Sequence, residues 1–179
     1  ETALIREDAA LNREAAAQRD SAQKTPAMTR IGHWSDSTLA ADGMSSFARR
    51  RLQHAFGDGG HGFVLADAEL EHYGHRDVRH LSGTDWQTVG LVGGKTRDAR
   101  YGLGGAVSIG SEGAWTVLET TRNKPVGGRA SRLDVLYLEG PHQGRFDVRV
   151  DRDRARTTTF DAQAAELRDA RASVRVDEG

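Results

Sequence analysis

The chain has 179 residues, 37% of them hydrophobic and 28% charged, with 25 Lys and Arg against 26 Asp and Glu. That composition describes one folded domain or two small ones, and a net charge of −1 leaves no electrostatic footprint for nucleic acid. Cysteine is absent, which excludes a disulfide framework and any thiolate metal site, and no apolar run approaches the ~20 residues of a transmembrane helix.

Residues 1–27 open with ETALIREDAALNREAAAQRDSAQK, rich in the helix formers Ala, Glu, Arg and Gln. Leu4, Ile5 and Leu11 are the only large apolar side chains in it, so the stripe is thin. A solvated helix or flexible leader is expected, with a docking arm as the alternative. Thr25-Pro26 ends it, because the residue before proline is pushed out of the helical region. The chain begins at Glu1 rather than Met, which reads as a processed or excised polypeptide from which a signal segment could have been removed.

Residues 28–66 read as a strand–loop–helix–loop–strand unit. TRIGHW is a short extended run leading to Asp36-Ser37. Met44, Phe47, Ala48, Arg51, Leu52, Ala55 and Phe56 then recur at helical spacing, which places them on one face and Arg49 and Arg50 on the wet side. Gly57 is suited to end that helix, and FVL at 63–65 is expected to be a second strand.

From residue 67 to 179 helical periodicity gives way to short alternating runs separated by glycine. AVSIG, AWTVLET, SRLDVLYLEG, GRFDVRVD and ASVRVDEG are strand patterns, with Phe146, Val148 and Val150 on one face and Arg145, Asp147 and Arg149 on the other. Strands of this kind indicate an antiparallel β-sandwich of jelly-roll type.

Ser37 carries two readings. On a loop entering a helix its backbone N–H can face an oxyanion and its hydroxyl can attack a carbonyl, given a base. Serine is equally a favoured N-cap, and SDST offers several capping side chains. The seven histidines (33, 54, 61, 72, 75, 80 and 142) include His72, His75 and His80 close together, but no helical frame aims them, so surface histidines are favoured over a metal site. The Gly-rich LVGGKTRDARYGLGG lacks phosphate-loop order, which makes its glycines turn and bulge residues. Among the aromatics, Trp115 and Tyr137 read as core. Trp86, in the polar stretch SGTDWQTVG, and Tyr101 are candidates for ligand binding by stacking on a sugar ring.

The stretch HWSDSTLAADGMSSFARRRLQHAFGDGGHGFVL is similar to the first block of the SGNH (GDSL-type) hydrolases, especially their bacterial envelope branch. His33, Asp36, Ser37, Ala40 or Ala41, Asp42, the RRRLQHAFGD run and Gly62-Phe63 carry the resemblance, over about 35 residues. It implies that Ser37 is the nucleophile and an oxyanion-hole donor, and that the activity is removal of O-acetyl groups from a polysaccharide or peptidoglycan. It further implies an α/β catalytic core in the parent protein, with residues 67–179 as an inserted module of carbohydrate-binding type. Asp36 is expected to orient the loop. A periplasmic, cell-envelope or secreted location follows from the same resemblance.

Two departures stand out. Ser35 occupies the family's glycine position, and the later blocks are missing. Asn occurs only at 12 and 123, so no G-x-N-D block exists, and DGGH at 58–61 lies directly after the first helix, too early to supply the base. The expectation is therefore an α+β chain holding the N-terminal part of a serine esterase, without cofactor or metal and nearly inactive when isolated. The alternative is a non-catalytic carbohydrate-binding or adaptor module.

Overall fold

A computed structural model describes residues 31–33, 36–68, 73–91, 100–121 and 126–176. The leader at 1–27, Trp34, Ser35, His72 and most of the Gly-rich loop lie outside the described residues. The chain divides into two compact units, Glu1–Gly128 and Arg129–Gly179. Among the described residues, two α-helical segments, one 3-10 turn (Arg154–Arg156) and eight strands, all paired antiparallel, make it a mostly β chain of α+β class.

In the first unit a single helical turn, α1 (Ser37–Ala40), is followed by the main helix, α2 (Gly43–Phe56). The sequence suggests one continuous helix from Ser37, but Asp42 breaks it. Its backbone is left-handed at φ 54°, a conformation Asp tolerates better than most side chains. Good helix formers such as Ala48, Arg49, Leu52 and Gln53 carry α2 onward. Gly57 ends it at φ 101°, its N–H donating to the Gln53 carbonyl at 2.9 Å.

The face of α2 that packs is opposite to the one the apolar spacing indicates. Ser46 is 2% and Gln53 8% exposed, whereas Phe47 is 57% and Met44 51% exposed, and Leu52 and Phe56 also face outward. Arg49 and Arg50, assigned to the wet side by spacing, instead grip Asp42 and Asp77. Two stripes of the same period run down this helix, and the buried carboxylates choose the polar one. Ile31, Ala48, Leu52 and Phe56 line an open groove of about 490 Å3 along the outward face.

The strand expected at 63–65 is not formed. Leu65 is buried, but its N–H donates to the Tyr73 hydroxyl at 3.0 Å rather than to a neighbouring strand. Residues 31–33 are likewise irregular, so the described part of the strand–helix–strand unit consists of its helix alone.

The strands of this unit form two two-stranded ladders, one nested inside the other along the chain. β1 (Val78–Ser82) pairs with β4 (Thr116–Thr120), and β2 (Trp86–Gly90) pairs with β3 (Ala106–Gly110) inside it. Residues 83–85 connect the outgoing strands and 111–115 the returning ones. The returning connection is two residues longer than the outgoing one. Asp67 is buried near the ladders and accepts from Thr88 Oγ1 at 2.7 Å, while Thr88 and Ser108, opposite each other, share a 2.8 Å hydrogen bond.

The second unit repeats this nested plan. β5 (Arg132–Glu139) pairs with β8 (Arg168–Arg175), and β6 (Arg145–Arg149) pairs with β7 (Thr157–Asp161). The alternation in β6 holds: Phe146 and Val148 turn inward while Arg145, Asp147 and Arg149 are exposed. Phe146 lies opposite Phe160 with rings stacked at 5.2 Å, and Tyr137 meets Phe146 edge-on at 4.9 Å. Val150, Ala162, Ala172 and Val174 complete this core. Asp151 and Arg152, at φ 54° and 58°, turn the chain between β6 and β7, with the Asp153 N–H donating to the Val150 carbonyl.

Candidate active site

Ser37 is the first residue of α1, and its side chain is exposed. The turn is closed by the Leu39 N–H on the Asp36 carbonyl and the Ala41 N–H on the Ser37 carbonyl, both at 3.1 Å. Ser37 Oγ makes no hydrogen bond with the described residues, so it does not cap α1. The N-cap of α2 is Asp42, five residues later. Asp36 is exposed beside Ser37 on the same turn.

A dense ionic cluster lies where α2 begins. Asp42 Oδ1 accepts from Ser45 Oγ at 2.7 Å, and Asp42 Oδ2 accepts from Arg49 Nη2 and the Arg76 backbone N–H, each at 2.8 Å. Asp77 receives Arg49 Nη2 at 3.0 Å and Arg50 Nη2 at 2.8 Å. Burial alone would push the Asp42 carboxyl up; the bonds from Arg49, Ser45 and the Arg76 N–H outweigh it and leave the group below the usual carboxylate range. Contacts of Arg76 and Asp77 with α2 also join the residues after position 67 to the helix.

Two histidines flank this cluster. The His75 ring nitrogen Nε2 donates to the His61 carbonyl at 3.0 Å, and its Nδ1 stands 3.9 Å from Asp42 Oδ2. The His61 and His75 rings meet edge-on with centroids 5.6 Å apart. Neither ring nitrogen of His61 meets a partner at hydrogen-bond geometry, although both are buried. Burial, with the His75 and Arg49 charges close by, holds His61 below the ordinary histidine range.

Nearby, Asp58 accepts from the Gly127 N–H at 2.6 Å, the Gly60 N–H at 3.0 Å and Gln53 Nε2 at 2.8 Å. The Gly127 and Gly60 amides are the main reason its carboxyl sits low. These contacts give DGGH its role: Asp58 and His61 organise the loop after α2.

Chemically, the turn presents an exposed hydroxyl to which no histidine among the described residues is hydrogen-bonded. The Asp42–His75 pair resembles the acid–base half of a hydrolase triad, but the His75 nitrogen that would face a serine is spent on the His61 carbonyl. His80 is bonded through Nε2 to the Ala66 carbonyl and to Thr116 Oγ1. No group of three His, Asp or Glu side chains among the described residues is arranged to hold a metal.

The two aromatic candidates are not brought together. Trp86 pairs with Gly110 at one end of the β2–β3 ladder, and its Nε1 donates to the Trp115 carbonyl at 3.0 Å. Tyr101 lies beyond the opposite end, where the Gly102 N–H reaches the Ala106 carbonyl. Trp115, read as core from its strand pattern, is half-exposed because it lies just before β4, outside the ladder.

Sequence reasoning missed the Asp42–Arg49–Asp77–Arg50 cluster. Its available signal was a second stripe on α2, with Asp42, Ser46, Arg49 and Gln53 at helical spacing. No helix among the described residues is long and apolar enough to cross a membrane. No family model matches the chain, and neither does any curated protein or solved structure.

Proposed function

We propose that this chain carries the nucleophile block of an SGNH-type serine esterase that removes O-acetyl groups from an envelope polysaccharide or peptidoglycan. The observation that carries the reading is the placement of Ser37: first residue of a helical turn, exposed, and unused as a cap. It stands in the 33–63 stretch whose residues resemble that family's first block. Ser37 Oγ would attack the acetyl carbonyl carbon while a histidine takes its proton. The tetrahedral oxyanion would be held by the Ser37 N–H and further donors, and Asp36 would fix the turn. Return of the proton to the leaving sugar oxygen gives the acetyl-enzyme, and water then releases acetate and regenerates Ser37.

His75 and His80 are not that histidine as they stand, since each is held by a backbone carbonyl. The antiparallel ladders, with the apolar inner face of β6 in the second unit, support a β-sandwich of carbohydrate-binding type as the accompanying module. An extracytoplasmic location goes with such a substrate.

Chemical rescue tests this directly. Hydrolysis of 4-nitrophenyl acetate is measured with and without imidazole, for the chain and its Ser37→Ala variant. Without imidazole both should stay near background. With imidazole as the missing base, the chain should exceed the variant. Equal rates of the two at every imidazole concentration would rule Ser37 out as a nucleophile.

A further inference from the structure

We propose that His61 and His75 form a proton-operated latch: when neutral they hold the glycine-rich loop 57–62 in place after α2, and when charged they release it. The latch is independent of the chemistry proposed for Ser37.

In the closed latch, His75 Nε2 donates to the His61 carbonyl at 3.0 Å, so one imidazole holds the backbone that carries the other. The two rings meet edge-on with centroids 5.6 Å apart. Both nitrogens of the His61 ring, and Nδ1 of His75, are buried without a hydrogen-bond partner. A buried polar atom in that state costs free energy, and a charge placed on it costs more. Among the described residues the only other buried side-chain nitrogen so placed is Arg49 Nε, on the same guanidinium that grips Asp42. The orphaned atoms are thus gathered at one spot and not scattered through the fold.

The two rings differ in what a proton would meet. Nδ1 of His75 stands 3.9 Å from Asp42 Oδ2, so a proton there gains a carboxylate. A proton on His61 gains no such partner. Burial opposes it most, and the charges of His75 and of Arg49 on α2 oppose it further. The Gly127 backbone and Asp77 favour it, as does Asp58 on its own loop, but they do not offset the burial. Gly127 packs against the ring without a side chain of its own. Acid therefore draws His75 toward Asp42 and drives the His61 ring toward water.

The loop has joints on both sides of that ring. His61 stands between Gly60 and Gly62, at φ +87° and +79°, and nothing lies within 4 Å of a Cβ placed on either. Both joints are free to turn, so the ring can swing out while α2 stays in place. The loop is also tied through Asp58, which accepts from the Gly60 and Gly127 N–H groups and from Gln53 Nε2. Release takes the His61 carbonyl off His75 Nε2 and leaves that N–H free for another acceptor.

The test is amide-resolved hydrogen exchange by NMR at pH 7.5 and 5.5, with rates corrected for the intrinsic effect of pH. Asp42 and Asp58, both held low, stay charged at either pH. The Gly60 and Gly127 amides, bonded to Asp58, report the loop, and amides of α2 and of the β1–β4 ladder report the unit as a whole. At pH 5.5 the loop amides should exchange about three- to tenfold faster, tenfold being roughly what one proton contributes over the one pH unit below 6.5. The α2 and ladder amides should keep their protection. His61→Gln takes up no proton and should exchange at nearly equal rates at the two pH values. His75→Gln keeps a donor for the His61 carbonyl without the charge, and should shrink the step at least twofold. The parent chain and His75→Gln decide the matter even where His61→Gln does not fold. No step in the parent, a step undiminished in either variant, or equal acceleration of the loop and α2 would each overturn the latch.

Discussion

Replacing Asp77 by Asn and, separately, Phe47 by Ala tests which face of α2 holds the first unit together. Asp77 is 4% exposed and receives both Arg49 and Arg50. Removing one member of a fully buried ion pair costs ~3–5 kcal/mol, whereas an exposed pair contributes ~0–1. Asp77 falls between these limits. In Asp77→Asn the Arg50 side chain, 40% exposed, can recover water, and Arg49 keeps its bonds to Asp42. A loss of about 2–3 kcal/mol is expected. A Phe truncated in a core would cost ~3–5 kcal/mol. Phe47 is more than half exposed, with the Arg51 guanidinium 4.4 Å over its ring, so Phe47→Ala should cost less than about 1 kcal/mol. Urea unfolding followed by helical circular dichroism resolves the two. With a slope of ~1–3 kcal/mol per molar, Asp77→Asn moves the midpoint by about 1 M or more, and Phe47→Ala moves it much less. The reverse order, with Phe47→Ala the more damaging, would refute the packing of α2 by its polar stripe.

Acid should weaken the first unit in two stages. His61 is held below the ordinary histidine range when folded, so the unfolded chain takes up its proton first, and stability falls as pH drops through about 6.5. Asp42 is held low, so its contribution is present above the usual carboxylate pKa and is lost as pH falls through its folded value. Urea midpoints from pH 8 to 3 would show both stages, and His61→Gln should flatten the first and leave the second. Gly127 has φ +74°, and a Cβ on it would come 2.8 Å from His61 Cε1, so Gly127→Ala should destabilise by about 1–3 kcal/mol. A thermal midpoint equal to that of the parent would contradict the described packing of His61. Asp151-Arg152 forms the turn between β6 and β7 with two left-handed non-glycine residues. Arg152→Gly should raise stability by about 0.5–1 kcal/mol, read as an increase in melting temperature.

How much of this was legible in the sequence differs by element. β6 could be read directly, since Phe146 and Val148 alternate with Arg145, Asp147 and Arg149. β1, β2 and β7 (VRHLS, WQTVG and TTTFD) are not legible as strands, because Thr, Ser, His and Gln blur the alternation. What sets them is pairing across the ladder, with a distant strand for β1, as in His80 with Leu118, and with the neighbouring strand for β2 and β7. The extent of α2 was legible from periodicity, but its buried face was not. Two stripes share one period, and the choice depends on Asp77, 27 residues beyond Arg50. For the candidate site, the serine and its turn could be read from local pattern. The engagement of His75 with the His61 carbonyl could not, because it is set by loop packing across 14 residues.

The nested ribbons also set how the chain responds to force. In the second unit Arg132 and Arg175 are direct partners at the open end of the β5–β8 ladder, so the chain enters and leaves side by side. Tension applied through the flanking residues would load the cross-strand bonds one pair at a time, from Arg132–Arg175 toward the Asp151-Arg152 turn. The unit should therefore unzip at low force instead of resisting in shear, and its hinge-like entry allows it to be spliced into a host loop without separating the ends of that loop.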